Sequence, residues 1–312
     1  MKPVKNISLV FECDQATLQR AVTLAKDRGA RLTIVYPVKD IPDAQTRVTV
    51  GWKAIDVRTL VFQEEKTRLK QVAKSAREAG IRPATRFLIG EPFLEIIRDV
   101  IEQRRDLVIM TAEGKGGLKE RLFGSTSRHL MRKRPAPVLV MKPGRRTRFH
   151  NILAAVDPEV TGDARDTLNG AILELASWLS ARDDAQLHIA HAWTLFGESL
   201  YRGHGGVPLA EVDRLVQEEA GKRRREVDAL ARRYAASSYR LHLPKGDPAT
   251  VIPRLVRSHE IDLLVMGTVC RTGIPGFIIG NTAEKVLDTV DCSVLTVKPV
   301  GFVSPVSRQL LA

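Results

Sequence analysis

The chain has 312 residues, of which 44% are hydrophobic, 27% charged and 5% aromatic, which allows a sizeable core and excludes a disordered or low-complexity polymer. Three cysteines cannot build the disulfide framework of a small secreted protein, so a reducing, cytoplasmic setting is expected. With 49 Lys and Arg against 36 Asp and Glu the formal charge is +13, which favours phosphate-bearing or polyanionic partners without choosing among them.

The first apolar run, Ile7 to Phe11, is too short for a signal segment or a membrane span. It opens a repeat. Asn6-Ile7-Ser8-Leu9-Val10-Phe11-Glu12 returns 145 positions later as Asn151-Ile152-Leu153-Ala154-Ala155-Val156-Asp157. Three further pairs share an offset of 156: Gly90-Glu91-Pro92 with Gly246-Asp247-Pro248, Asp106–Met110 with Asp262–Met266, and Val138–Pro143 with Val294–Pro299. The difference of 11 residues predicts an insertion early in the second copy, and the Gly- and Pro-bearing stretch Tyr201–Pro208 is its expected home, as a mobile loop. The basic stretch Pro143–His150 reads as a linker. The domains expected are 1–143 and 151–303, joined by 144–150 and followed by a tail, 304–312.

In chain order, the first copy alternates short apolar runs at 5–11, 31–36, 84–89, 106–111 and 137–142 with longer segments of 3.6-residue period. Asp14 is placed to cap a helix whose apolar stripe is Leu18, Ala21, Val22 and Ala25 and which stops at Gly29. A long polar helix is expected over 52–79, and another begins after Glu91-Pro92, where Pro suits the first helical position. The second copy repeats this with Leu168, Ile172, Leu175 and Leu179, a helix over 209–235, and Asp247-Pro248. The fold class is therefore α/β, with two tandem doubly wound domains, each holding a five-stranded, mostly parallel sheet. Both fifth strands are short apolar edges, and unpaired edges invite pairing, so the halves are expected to pack on each other there as a pseudo-dimer. Association of whole chains into a homodimer is left open.

Ligands of doubly wound sheets sit outside the carboxyl ends of the strands, which directs attention to the segments after strand four, Thr111–Ser127 and Gly267–Ala283. Gly124 and Gly280 each lead into a helix whose free N–H groups favour an anion, and Ser125 and Thr126, or Asn281 and Thr282, could donate to phosphate oxygens. On these residues the chain resembles the universal stress protein family, in its tandem E type. Nucleotide-binding members carry Gly-x2-Gly-x9-Gly-Ser/Thr after strand four and an Asp at the end of strand one. The first copy keeps Gly114 and Gly124-Ser125 but has Thr111 and Glu12; the second keeps Asp157, Gly267 and Gly280 but has Cys270 and Asn281. The resemblance implies the adenine nucleotide α-hydrolase-like fold and a site for adenine nucleotide, ATP with Mg2+ as its companion. Asp157 would meet the ribose or base edge, and Ala192 and Met266, with Gly267, Cys270, Arg271, Gly280, Asn281 and Thr282, would complete the second site. Glu12, Pro37, Thr111, Gly114, Gly124, Ser125 and Thr126 are the counterparts in the first.

Plainer roles stand beside these. An acidic residue at a strand end can cap the next helix, and Asn281-Thr282-Ala283-Glu284 has the form of a capping box; Arg128 takes the Glu284 position in the first copy, where it would welcome a phosphate. His188 and His191, three apart on a strand, face opposite sides, and no metal site is expected from them. Cys13 and Cys292 read as small buried residues, whereas Cys270 beside Arg271 is a candidate reactive thiol. Lys222–Arg225, Arg232 and Arg233 lie among Glu218, Glu219, Glu226 and Asp228, the pattern of a solvated helix face, so nucleic acid is not an expected partner. No convincing nucleophile–base pair or Walker sequence is present. The leading expectation is a stress-response protein that binds ATP as a sensor or switch, with slow hydrolysis unassigned. The alternative is a carrier of a lipid or small apolar ligand, and the third an ATP-consuming enzyme.

Overall fold

Uninterrupted apolar runs of four or five residues become strands covered on both faces, because the helices that connect parallel strands must lie on both sides of the sheet. The computed structural model describes residues 4–41, 47–50, 53–112, 123–144, 147–158, 163–203, 206–235, 238–268 and 280–306. It divides into a first unit, residues 2–147 with the segment from 303, and a second, residues 148–302.

The first unit runs β1 (Asn6–Val10), α1 (Gln15–Arg28), β2 (Arg31–Val38), β3 (Arg47–Val50), β4 (Lys53–Asp56), α2 (Val57–Glu78), β5 (Ala84–Ile89), α3 (Pro92–Glu102), β6 (Leu107–Thr111), α4 (Ser125–Lys133) and β7 (Val138–Met141). Its parallel strands lie in the order β5-β2-β1-β6-β7. The second unit runs β8 (Asn151–Ala155), α5 (Asp163–Asp183), β9 (Gln186–Ala190), α6 (Glu198–Gly203), α7 (Leu209–Tyr234), β10 (Tyr239–His242), α8 (Pro248–Ser258), β11 (Leu263–Gly267), α9 (Asn281–Thr289) and β12 (Ser293–Val297). Its parallel order, β10-β9-β8-β11-β12, repeats the first. In each unit the order reverses at the first strand, which opens a crevice beyond its carboxyl end.

The local signals act as expected. The Asp14 carboxylate accepts from the Thr17 N–H at 2.8 Å to start α1, and Gly29 ends it at φ 57°. Leu18, Ala21, Val22 and Ala25 are buried, as are Leu168, Ile172, Leu175 and Leu179 on α5. On α7, Arg223 pairs with Glu219 and, at 3.1 Å, with Glu226, while Lys222, Arg224 and Arg225 are exposed. Among the described residues no helix is long and apolar enough to cross a membrane.

Two expectations are corrected. Residues 53–56 are not helical: β3 and β4 form an antiparallel hairpin, Arg47↔Asp56 to Val50↔Lys53, and α2 starts only at Val57, where Asp56 accepts from the Thr59 N–H at 3.2 Å. The extra length of the second copy also lies elsewhere. The first residues of β1 and β2, Asn6 and Arg31, are 25 positions apart, whereas those of β8 and β9, Asn151 and Gln186, are 35 apart. Ten of the 11 additional residues therefore precede β9, and they go in part into α5, which has 21 residues against 14 in α1. The segment expected as a loop begins as helix α6, which includes Tyr201, Arg202 and Gly203.

Between β2, β5 and α3 the first unit carries a closed ionic network. Asp99 on α3 is 2% exposed and accepts from Arg86 Nε at 2.7 Å and Arg105 Nε at 3.0 Å, while Arg105 Nη1 donates to Thr33 Oγ1 at 2.7 Å. A buried charge of this kind is tolerable only when paired and hydrogen-bonded on several sides.

Candidate functional site

Beyond the carboxyl ends of β1, β2 and β6 the first unit has a cleft of about 840 Å3, within the range of small-molecule sites. Val10, Phe11, Glu12, Cys13 and Asp14 form one wall, Tyr36 to Lys39 a second, and Met110, Thr111, Ala112 and Thr126 a third. The Phe11 and Tyr36 rings lie 3.9 Å apart between centroids, and Tyr36 meets Phe87 edge-on at 5.6 Å. The Tyr36 hydroxyl donates to Glu65 of α2, and burial together with that carboxylate raises its pKa, so the phenol stays protonated. Glu12 is exposed and sits at φ 70°, a left-handed conformation that costs a non-glycine residue about 1 kcal/mol.

Two residues beneath the cleft hold its shape. Thr111 Oγ1 donates to Thr17 Oγ1 at 2.9 Å and accepts from the Asp14 N–H at 3.1 Å, which ties the end of β6 to the start of α1. Asp14 also accepts from the Gly144 N–H at 3.0 Å. Burial opposes its ionisation, but the bonds from Thr17, Gly144 and Thr111 prevail and hold its carboxyl below the ordinary value. Burial, with Asp14 alongside, pushes the Cys13 thiol up to about 12, so it is an unreactive lining group as expected.

At the far side α4 begins. Gly124 is its N-cap and supplies no side chain to the first turn, which leaves backbone N–H groups for an anion. Ser125 is exposed and Thr126 half-buried against the cleft. Arg128 stands one position further into the helix than expected, because the cap is Gly124 and not Ser125; its Nε donates to Phe123 O at 3.0 Å. Gly114 lies outside the described residues.

The second unit puts the corresponding groups at the same end of its sheet. Asp157, two residues past β8, is half-buried, and Asn169 of α5 brackets its backbone, accepting from its N–H at 3.0 Å and donating to its carbonyl at 2.9 Å. Ala192 is 8% and Met266 5% exposed. Gly267 has a packing reason to be glycine, since a Cβ there would stand 2.9 Å from Leu168 Cδ2. The capping-box reading of Asn281 is corrected: Gly280 is the N-cap of α9, Asn281 its first helical residue, and no side chain caps the turn. Asn281 and Thr282 are exposed. Cys270 and Arg271 lie outside the described residues. Cys292 is buried, as expected.

Sequence reasoning missed Phe11, Tyr36, Lys39 and Glu65 as lining groups. Their signal was the position of Phe11 and Tyr36–Lys39 beside the strand ends.

The universal stress protein family model matches residues 10–142 and again 148–298. The chain belongs to the universal stress protein family. Its two family domains are arranged as in the E type: universal stress protein E of Salmonella typhi is 28% identical over 309 residues, covering 94% of this chain and 93% of that relative, and the Escherichia coli K12 protein matches to the same extent with 92% of its length. A crystal structure from Pseudomonas aeruginosa UCBPP-PA14, described as a candidate universal stress protein, superposes with a TM-score of 0.75 at 25% identity, covering 99% of this chain and 98% of that one. A universal stress protein of Archaeoglobus fulgidus shares the fold at a TM-score of 0.63 and 19% identity, covering 96% and 99%. Membership fits two doubly wound units in one chain, each with a crevice at its switch point.

Proposed function

We propose that this protein binds adenine nucleotide, ATP foremost, as a non-enzymatic sensor or switch of the stress response. The observation that carries the reading recurs in both units. An acidic residue past the first strand, Glu12 or Asp157, shares the carboxyl end of the sheet with a helix start that has no side-chain cap, at Gly124 or Gly280. The carboxylate suits the donor groups of a nucleoside, and the open helix start suits phosphate. In the first unit Phe11 and Tyr36 add ring faces for a base, and Lys39 adds a cation at the rim. Mg2+ would enter on the phosphates with water as its other ligands, so a dedicated protein cage is not required.

A second reading, a carrier of a lipid or small apolar ligand, is favoured by the apolar share of the same cleft, in Val10, Phe11, Pro37, Val38 and Met110. Native mass spectrometry of the purified full chain separates the two: adenine nucleotide in the bound fraction supports the first, and a lipid or apolar metabolite supports the second. Calorimetric titration with ATP should show saturable binding that Gly124→Val or Gly280→Val weakens at least about tenfold, through blocked backbone approach. Unchanged affinity in both single variants and in the double would overturn the assignment of phosphate to these helix starts.

A further inference from the structure

Three histidines of the second unit, far apart in sequence, meet beside β9 and β10. His188 lies on β9, His242 closes β10, and His259 caps the C-terminus of α8. The β9–β10 register sets Arg240 beside His188 and carries His242 two residues further along the same face, under the returning end of α8. One ligand atom from each of the three lies within 4.8 Å of the others. His188 Nδ1 and His242 Nε2 are 2.9 Å apart, and the His259 ring centroid is 4.5 Å from that of His242 and 5.3 Å from that of His188. His191 takes no part, since its Nδ1 meets the Val156 carbonyl at 3.2 Å.

The matching layer of the first unit shows what is unusual. The bond from the Gly246 N–H to Trp193 O repeats that from the Gly90 N–H to Val38 O, which aligns His188 with Thr33 and His242 with Arg86; His259 and Gln103 are both helix C-caps. Leu255 and Ile261 then stand where Asp99 and Arg105 close the ionic network. His188 is 1% exposed and its Nε2 is buried without a hydrogen-bond partner, an arrangement that an aliphatic side chain would avoid. His242 and His259 are half-buried and open the cluster to solvent.

We propose that His188, His242 and His259 form a binding site for a divalent transition metal of the zinc class, which fastens the end of α8 to the outer strands of the sheet. Three imidazole nitrogens held about 2.0–2.1 Å from a tetrahedral ion lie about 3.3 Å from one another, so side-chain rotations of about 1 Å close the site without backbone movement. The donor set selects the ion: imidazoles suit Zn2+, Ni2+, Cu2+ and Co2+, whereas Mg2+ and Ca2+ require oxygen ligands. Insertion replaces the His188–His242 hydrogen bond, and the proton of the donating nitrogen passes to the other nitrogen of its own ring, so both rings remain neutral ligands. Burial, reinforced by His242, His259 and Arg240, holds His188 down to about 4, and burial likewise lowers His242, so these two rings are already neutral at pH 7. The C-terminal dipole of α8 favours a cation at His259, while the exposed Arg240 opposes one through solvent. Water completes the coordination. The site is independent of the nucleotide reading.

Tag-free full-length chain, freed of metal with a chelator, is titrated with Zn2+ by calorimetry and with Co2+ by visible absorption. The expected result is one site per chain tighter than about 10 μM, a tetrahedral Co2+ spectrum, and a rise in Tm of about 5 °C or more at saturating Zn2+. His242→Ala and His259→Gln should each weaken Zn2+ binding at least about 100-fold. The second variant places the residue type of Gln103 at a half-buried cap, and an unchanged circular dichroism spectrum separates loss of ligand from loss of fold. Zn2+ binding weaker than about 10 μM in the unaltered chain, or tight binding that survives His259→Gln, would overturn the proposal.

Discussion

The layer between the outer strands and the helix that covers them is filled in opposite ways in the two units. In the first, Asp99 draws Arg86 and Arg105 into a network that also engages Thr33. In the second, imidazoles and aliphatic groups occupy the aligned places, and two of the histidine rings approach to 2.9 Å. The register of the sheet decides which positions are covered, and leaves open how their polarity is resolved. One unit resolves it with charges of its own, so a single lost partner is damaging. The other has neutral groups whose remaining lone pairs can accept an ion from outside.

Substitutions can break or sharpen this contrast. The largest effect is expected from Asp99→Leu, which copies Leu255 into the first unit but strands Arg105 as a buried, unpaired cation. A loss of about 3–5 kcal/mol is expected in chemical denaturation, and a loss under 1 kcal/mol would show the network to be incidental. Gly267→Ala comes next, with about 1–3 kcal/mol from overlap with Leu168; the aligned Thr111 of the first unit fits because its hydroxyl donates to Thr17 Oγ1 and accepts from the Asp14 N–H. Asp14→Ala should cost about 1 kcal/mol through the lost cap. Because its folded pKa is lowered, the stabilisation from Asp14 is complete above the ordinary carboxylate range and is lost as pH falls through the lower folded value, so Asp14→Asn should flatten that part of an acid-denaturation curve. The smallest effect belongs to His188→Leu in the metal-free chain, within about 1 kcal/mol, since it removes a buried nitrogen that lacks a partner. A loss as large as that of Asp99→Leu would make the histidine cluster a structural network like its counterpart.

Most of the fold was legible because a strand buried on both faces needs an unbroken apolar run, and such runs recur at matching intervals. Capping was legible for Asp14 and Gly29, which act on their immediate neighbours. The hairpin over 47–56 was not, since Val48, Val50 and Ile55 alternate over too short a stretch to outweigh the helical pattern that follows. The extra length of α5 was hidden for the opposite reason: added helical residues continue the existing period, whereas Gly and Pro advertise a loop that need not be the insertion. Around the cleft, Gly124 and Thr126 could be located from their position after the fourth strand of the unit and Glu12 and Thr111 from the family resemblance, but the pairing of Tyr36 with Glu65 joins β2 to a helix reached only after the hairpin. The histidine cluster drew on three elements, with His188 and His242 separated by 54 positions, and no local pattern connects them.

Gly90 and Gly246 offer a different kind of consequence. They stand at φ 144° and 138°, and in each case a Cβ would press at 3.0 Å on a side chain five residues further on, Glu95 or Val251. No L-residue adopts that backbone at ease, whatever surrounds it. The aligned neighbours differ, Glu95 in one unit and Val251 in the other, while both of these positions are glycine. The two glycines therefore act as fixed survey marks, against which the divergence of every other position in the two halves can be measured.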